Sequence, residues 1–257
     1  DKEQPFAVTW NQAQQQRIVA VNSAAARQGL APGMPLADAA ALSPDLATKP
    51  FESKEHDRQL KQLLRWAERY TPFAALQPPY ADALRWSGDA GIFLDVTGAA
   101  LYFKGEDKLL ARIASDLDAR GLTTRMALAP SSAAAWALSR YATRPQHAMT
   151  MVGQGEALMP RLRELPTAAL RLPDSIIAEL DKLGLRKLDH LFQQARASLH
   201  ARFGALLTER LAQITGDAPE PLSPSPRPDS SRDRAVLAVP LISSDSLLAV
   251  LGDMLKQ

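Results

Sequence analysis

The sequence predicts a mixed α/β (α+β) fold that gives way to an all-helical module, and three features carry that prediction. Short β-branched runs alternate with amphipathic helices as far as about residue 157. From Leu158 to Thr215 the apolar spacing is helical almost throughout. Five prolines between Gly216 and Asp233 then mark an extended linker ahead of a short C-terminal piece.

Phe6 to Trp10 and Arg17 to Val21 are apolar runs separated by a polar stretch, the pattern of a hairpin. Ala24 to Leu30 follows as an Ala-rich helix closed by Gly29, and Met34 to Leu42 as a second helix stopped at Ser43-Pro44. In Lys54 to Tyr70 the residues Leu60, Leu63, Leu64, Ala67 and Tyr70 fall on one helical face. Ala83 to Trp86 and Gly91 to Thr97 read as strands. Ile92, Leu94 and Val96 share one face of the second, and Phe93, Asp95 and Thr97 the other, because side chains alternate along a strand.

Glu106 to Arg120 is an amphipathic helix with Gly121 placed for a left-handed cap. Thr123 to Ala129 is a strand that leads to a helix with Ser131 as N-cap. Strand, strand, helix, strand, helix is half of a split βαβ, ferredoxin-like layer. The helical stretch beyond it is expected to break at Pro160, Pro166, Pro173, Gly184 and Gly204. Arg234 to Val239 reads as a strand and Ser243 to Lys256 as a helix, too little to fold alone.

Composition narrows the chemistry. With 257 residues, 46% of them hydrophobic and 23% charged, the chain can bury a substantial core. Cysteine is absent, which excludes disulfides, thiolate nucleophiles and Cys-based zinc or iron–sulfur sites. No apolar run approaches the roughly 20 residues of a membrane span, and the polar start Asp1 to Pro5 does not read as a signal peptide, so a cytoplasmic location is expected. The net charge of +2 permits a nucleic-acid partner without demanding one. His56, His147, His190 and His200 have no metal-ligand spacing, no metal or other cofactor is expected, and the four tryptophans sit in apolar-periodic elements that suit a core.

Gly91-Ile-Phe-Leu-Asp-Val-Thr-Gly98, followed by Leu101-Tyr-Phe and a helix, resembles the palm strand of Y-family translesion DNA polymerases, which reads Ser-Ile-Asp-Glu-Ala-Tyr-Leu-Asp-Val-Thr. Upstream, Arg27 to Met34 with Ala37, Ala40 and Ser43-Pro-Asp-Leu46 resembles the fingers pattern of that family. Downstream, Ala127-Leu-Ala-Pro130 with Ala134, Ala135 and Ser139 resembles its Gly-Ile-Ala-x-Asn-Lys segment, and Leu183 to Leu191 resembles the helix-hairpin-helix of its thumb. The resemblance implies a fingers-like region over 5–76, a palm-like region over 77–157, a helical thumb-like region over 158–216, a Pro-rich linker over 217–233 and the start of a little finger over 234–257.

The departures from the pattern set the functional expectation. Active relatives hold two Mg²⁺ ions between acidic side chains to activate the primer hydroxyl and stabilise charge on phosphorus. Aligning Asp95 with the second Asp of the pattern puts Ala90 and Gly91 at the catalytic Asp-Glu pair, and neither can ligate a cation. Asp89 stands roughly 6.5 Å from Gly91 along a strand, too far for a metal–oxygen bond of about 2.1 Å without a bulge, and reads as a turn residue beside Gly88. At the nucleotide-binding positions Arg27 is displaced by one residue, and Ser131 and Ser132 replace the Asn-Lys pair.

What survives is a surface for the DNA backbone. Gly184, Leu185, Arg186 and Lys187 match the hairpin that offers amides and cations to phosphate, and Arg196 and Arg202 are further candidates. The resemblance is to the ImuB-type branch of the family. It implies a non-catalytic, bacterial, nucleoid-associated adaptor in damage-induced mutagenesis, with DNA, the sliding clamp, an error-prone C-family polymerase, RecA and ImuA as partners. Two alternatives stay open at this point: a weakly active polymerase using Asp89, and a protein-interaction scaffold that never touches DNA.

Overall fold

The computed structural model describes residues 4–12, 15–77, 91–143, 149–152 and 157–223, together with 243–245, 248, 250 and 252. The chain divides into two compact units, Asp1–Pro224 and Ser225–Gln257. Described residues of the second unit from 244 onward are helical. The strands expected over Ala83 to Trp86 and Arg234 to Val239 lie outside the described residues.

In the first unit β1 (Phe6–Gln12) and β2 (Gln15–Val21) form the expected antiparallel hairpin, with an irregularity between Val8 and Thr9. A third strand, β3 (Ala47–Pro50), pairs parallel with β1, giving the order β2-β1-β3. Asn22 joins helix to sheet: its Oδ1 accepts from Ala25 N at the start of α1 (Ser23–Arg27) and from Phe6 N, and its Nδ2 donates to Gln4 O. With α2 (Leu36–Leu42) this layer buries Ala7, Ile18, Ala25, Leu30 and Ala39.

The middle of the unit is built on α3 (Ser53–Ala67) and α5 (Glu106–Asp118). Tyr70, Leu109, Ile113 and Leu117 form a core, with Leu63, Trp66, Leu94 and Val96 packed against it. Strand β4 (Ala74–Leu76) pairs antiparallel with β5 (Ile92–Leu94), and β6 (Met126–Leu128) pairs parallel with β7 (Met149–Met151). Between them, α4 (Ala99–Tyr102) is a single turn. The alternation read along β5 holds, since Leu94 and Val96 face this core while Phe93 packs on another. Gly121 adopts φ +72°, the left-handed conformation that a helix C-terminus asks of glycine, and its N–H reaches Asp118 O at 2.8 Å.

The largest core joins α6 (Ser132–Tyr141) to the helical module. Ala134, Trp136, Ala137 and Leu138 of α6 are buried with Leu162, Leu180, Leu188, Leu191, Leu207 and Leu211. Small residues along α6 let neighbouring helices approach closely, and a methylene lost here would leave a void. The module comprises α7 (Leu158–Arg163), a 3₁₀ turn (Thr167–Leu170), α8 (Asp174–Lys182), α9 (Leu188–Phe192), α10 (Arg196–Phe203) and α11 (Ala205–Thr215). Pro160 does not break the module as expected: it sits in the first turn of α7, where a missing N–H costs no helical hydrogen bond.

Candidate nucleic-acid interface and the Gly91 position

Gly91 immediately precedes β5, and its carbonyl accepts the backbone N–H of Gln77 at 2.8 Å. A Cβ added at Gly91 would lie 2.5 Å from the Gln77 side-chain oxygen. That oxygen is held in place by two donors, Trp136 Nε1 and a terminal nitrogen of Arg140, each at 3.0 Å. The space in which any side chain at position 91 would start is therefore filled by an anchored carboxamide. Asp89 and Ala90 lie outside the described residues.

Asp95 is engaged in backbone geometry. Its Oδ1 accepts from Thr97 N at 2.9 Å, its N–H donates to Phe73 O, and its carbonyl accepts the Thr71 hydroxyl. These bonds shape the turn that leaves β5, the usual local role of such a residue. Among the described residues no group of three or more His, Asp or Glu is placed to hold a metal ion.

Ser131 and Ser132 tie α6 to the far end of the helical module. Ser131 Oγ caps α6 by accepting from Ala134 N at 3.1 Å and also reaches Ile214 O at 3.4 Å. Ser132 Oγ donates to Glu220 at 3.0 Å. The Glu220 carboxylate also receives Arg171 at 2.9 Å and Arg210 at 3.2 Å. The Pro-rich segment, expected to run as an extended linker from residue 217, is anchored at Glu220. The Arg171 and Arg140 guanidiniums stand 5.1 Å and 4.9 Å from the Trp136 ring centroid. Arg27 lies exposed in the last turn of α1, and no hydrogen bond or ion pair among the described residues joins it to Ser131 or Ser132.

In the hairpin, Gly184 takes φ +76°, and Leu185 N donates back to Leu180 O at 2.9 Å. Gly184 N reaches Asp181 O and Arg186 N reaches Gly184 O, so three of the four hairpin amides expected to face phosphate are engaged within the turn. Leu185 is half-buried and packs on the main core. The side chains of Arg186, Lys187, Arg196 and Arg202 are all exposed. Hydrogen bonding to Glu164 raises the Lys187 ammonium pKa above its ordinary value, with the same carboxylate's charge adding to it. A cleft of about 390 Å³ nearby is lined by Met159, Arg163, Leu191, Phe192 and Arg196 among others.

Residues 2–140 match the impB/mucB/samB family, just over half of the chain. The chain belongs to the impB/mucB/samB family. It is 36% identical over 228 residues to Protein ImuB of Caulobacter vibrioides strain NA1000 / CB15N, and equally to the protein of that name from strain ATCC 19089 / CIP 103742 / CB 15. That alignment takes in 88% of this chain and 46% of ImuB, so the chain spans about half the length of the curated relatives it matches.

Among solved structures the chain resembles DinB from Sulfolobus solfataricus at TM-score 0.66 and 17% identity, over 87% of this chain and 63% of that one. It resembles the insertion ternary complex of Dbh DNA polymerase at TM-score 0.67 and 18% identity, over 85% and 62% of the two chains. These likenesses establish a Y-family polymerase fold, in agreement with the mixed α/β class and the family resemblance read from the sequence. The impB/mucB/samB match ends inside α6, at the residue whose side chain helps to hold Gln77. Four residues of this site escaped the sequence: Gln77, Arg140, Arg171 and Glu220. No local pattern distinguishes them, and the bonds that join Gln77 to Trp136 and Arg140, and Glu220 to Ser132 and Arg171, span 49 to 88 positions.

Proposed function

We propose that this impB/mucB/samB-family chain is a non-catalytic, polymerase-like adaptor that binds the DNA backbone and protein partners during damage-induced mutagenesis and translesion synthesis. The observation that carries the proposal is the Gly91 position. Two-metal phosphoryl transfer needs carboxylates on this strand, and here a glycine faces the Gln77 oxygen so closely that a Cβ would stand 2.5 Å from it unless the carboxamide gave way. Asp95, the acidic residue of β5's exit, is committed to the turn.

In this reading residues 5–76 act as fingers, 77–157 as palm, 158–216 as thumb and 234–257 as the start of a little finger. Ser131 and Ser132 hold palm to thumb where active relatives contact triphosphate. DNA is held without sequence preference, chiefly through Arg186 and Lys187, with Arg196 and Arg202 as further contacts. The sliding clamp, an error-prone C-family polymerase, RecA and ImuA are the partners that the ImuB-type resemblance implies, and association with the bacterial nucleoid follows from them.

Fluorescence anisotropy with a labelled primer–template at low and moderate salt tests the DNA arm. Binding that weakens with salt, and falls further in Arg186→Ala/Lys187→Ala, is the expected result. No binding at any salt would leave a protein-interaction scaffold as the better description.

A further inference from the structure

Three of the four cationic side chains assigned to DNA are already paired inside the module. Lys187 Nζ lies 2.7 Å from Glu164, Arg196 lies 3.4 Å from Asp217, and Arg202 lies 3.6 Å from Glu179. Each pair links two different elements: the end of α7 with the start of α9, the start of α10 with the turn after α11, and α8 with α10. Among the described residues Arg186 makes no such pair.

We propose that the helical module holds its own DNA-contacting cations in intramolecular ion pairs, so that DNA must displace Glu164, Asp217 and Glu179 before Lys187, Arg196 and Arg202 reach phosphate. The inference rests on the DNA-binding reading above and adds its regulation. Each carboxylate occupies the place a phosphate oxygen would take, and it also repels the backbone as the strand approaches. Exposed pairs of this kind are individually weak, so each holds affinity down by a factor of up to about five. Three together attenuate binding by roughly tenfold or more, while any partner that drew the carboxylates away would release it. The Lys187 pair, the tightest of the three by distance, contributes most.

The competing explanation is that the pairs only staple neighbouring helices, or that any lost negative charge helps. The test compares the parent chain, the triple variant Glu164→Gln/Glu179→Gln/Asp217→Asn, and a control triple Asp174→Asn/Asp181→Asn/Glu209→Gln. The control residues lie in the same module, and none is ion-paired among the described residues. Anisotropy with the same primer–template and thermal unfolding are the readouts.

The expected result is an affinity gain of roughly tenfold or more for the first triple at low salt, with a much smaller gain for the control. The gain shrinks as salt rises, and the unfolding midpoints stay close together. Equal gains in both triples, or parental affinity in the first, would overturn the masking inference while leaving DNA binding intact. If none of the three proteins bound DNA at any salt, the inference and the function it rests on would both fall.

Discussion

Arg171 and Glu220 form an ion pair with side chains only 1% and 6% exposed and 2.9 Å between nitrogen and oxygen. Arg171 adopts φ +55° to reach it, a left-handed conformation that costs a non-glycine residue on the order of 1–2 kcal/mol. The same carboxylate collects Arg210 and Ser132, so three separate elements meet on one side chain. Removing one member of a buried pair leaves the other charged in a poor solvent. Glu220→Ala should therefore destabilise the chain by about 3–5 kcal/mol, and Glu220→Gln by less, because the amide oxygen still accepts from Arg171. Denaturant unfolding of both variants measures this, and a cost below about 1 kcal/mol for the alanine would show that the cluster is incidental.

The Tyr70–Asp116 hydrogen bond, 2.6 Å long, should shape stability at both ends of the pH scale. Burial first, and then Asp116, push the Tyr70 phenol up to about 12. The folded chain keeps that proton more tightly than the unfolded one, so this contribution is complete below about pH 10 and is lost as pH rises towards the folded value. The Asp116 carboxyl is held below its ordinary value by the Tyr70 hydroxyl and then by Arg112. Its contribution is present above about pH 4 and is lost as pH falls through the lowered folded value. Tyr70→Phe should remove the alkaline loss and shrink the acid one. Unfolding curves for parent and variant that superimpose on both limbs would refute the coupling.

Gly91 and Gln77 should behave as one unit. Gly91→Ala brings its Cβ against the anchored carboxamide oxygen and should cost about 1–3 kcal/mol, as overpacked sites do. In a Gln77→Ala background the same substitution should cost less, because the obstructing oxygen is gone. A double-mutant cycle reads the difference as a coupling energy, and additive single costs would show that Gln77 swings aside freely.

Arg186 and Lys187 are neighbours with unequal expected weights in DNA binding. Arg186 has no ion pair to give up among the described residues, whereas Lys187 is paired with Glu164 and would have to exchange it for phosphate. Arg186→Ala should lower the slope of log affinity against log salt by about 1, and Lys187→Ala by less. The reverse order would show that the Glu164 pair does not hold Lys187 back from phosphate.

Much of the architecture was legible because it is local. The α5 stripe of Leu109, Ile113 and Leu117, the Gly121 cap and the Ser131 cap each follow from spacing or from one residue's conformational preference. Strands β3 and β4 were not legible, being four and three residues long with Ala47, Ala74 and Ala75 where β-branched residues would be expected. The site divides in the same way. The glycine at 91 was readable in the sequence, but the Gln77 oxygen that lies against it depends on a contact with Trp136, 59 positions away. Glu220 sat in a Pro-rich stretch that reads as an extended linker, and only tertiary packing shows that its side chain is covered by Arg171 and its neighbours. The hairpin's sequence likewise pointed to amides of which the folded turn uses those of Gly184, Leu185 and Arg186 itself.

Primer extension on a primed template with Mg²⁺ or Mn²⁺ tests the central claim most directly. The account predicts no template-dependent nucleotide incorporation under conditions where anisotropy shows the DNA bound. Incorporation that disappears in Asp89→Ala would contradict it, by showing that a carboxylate beside Gly91 still serves a working metal site.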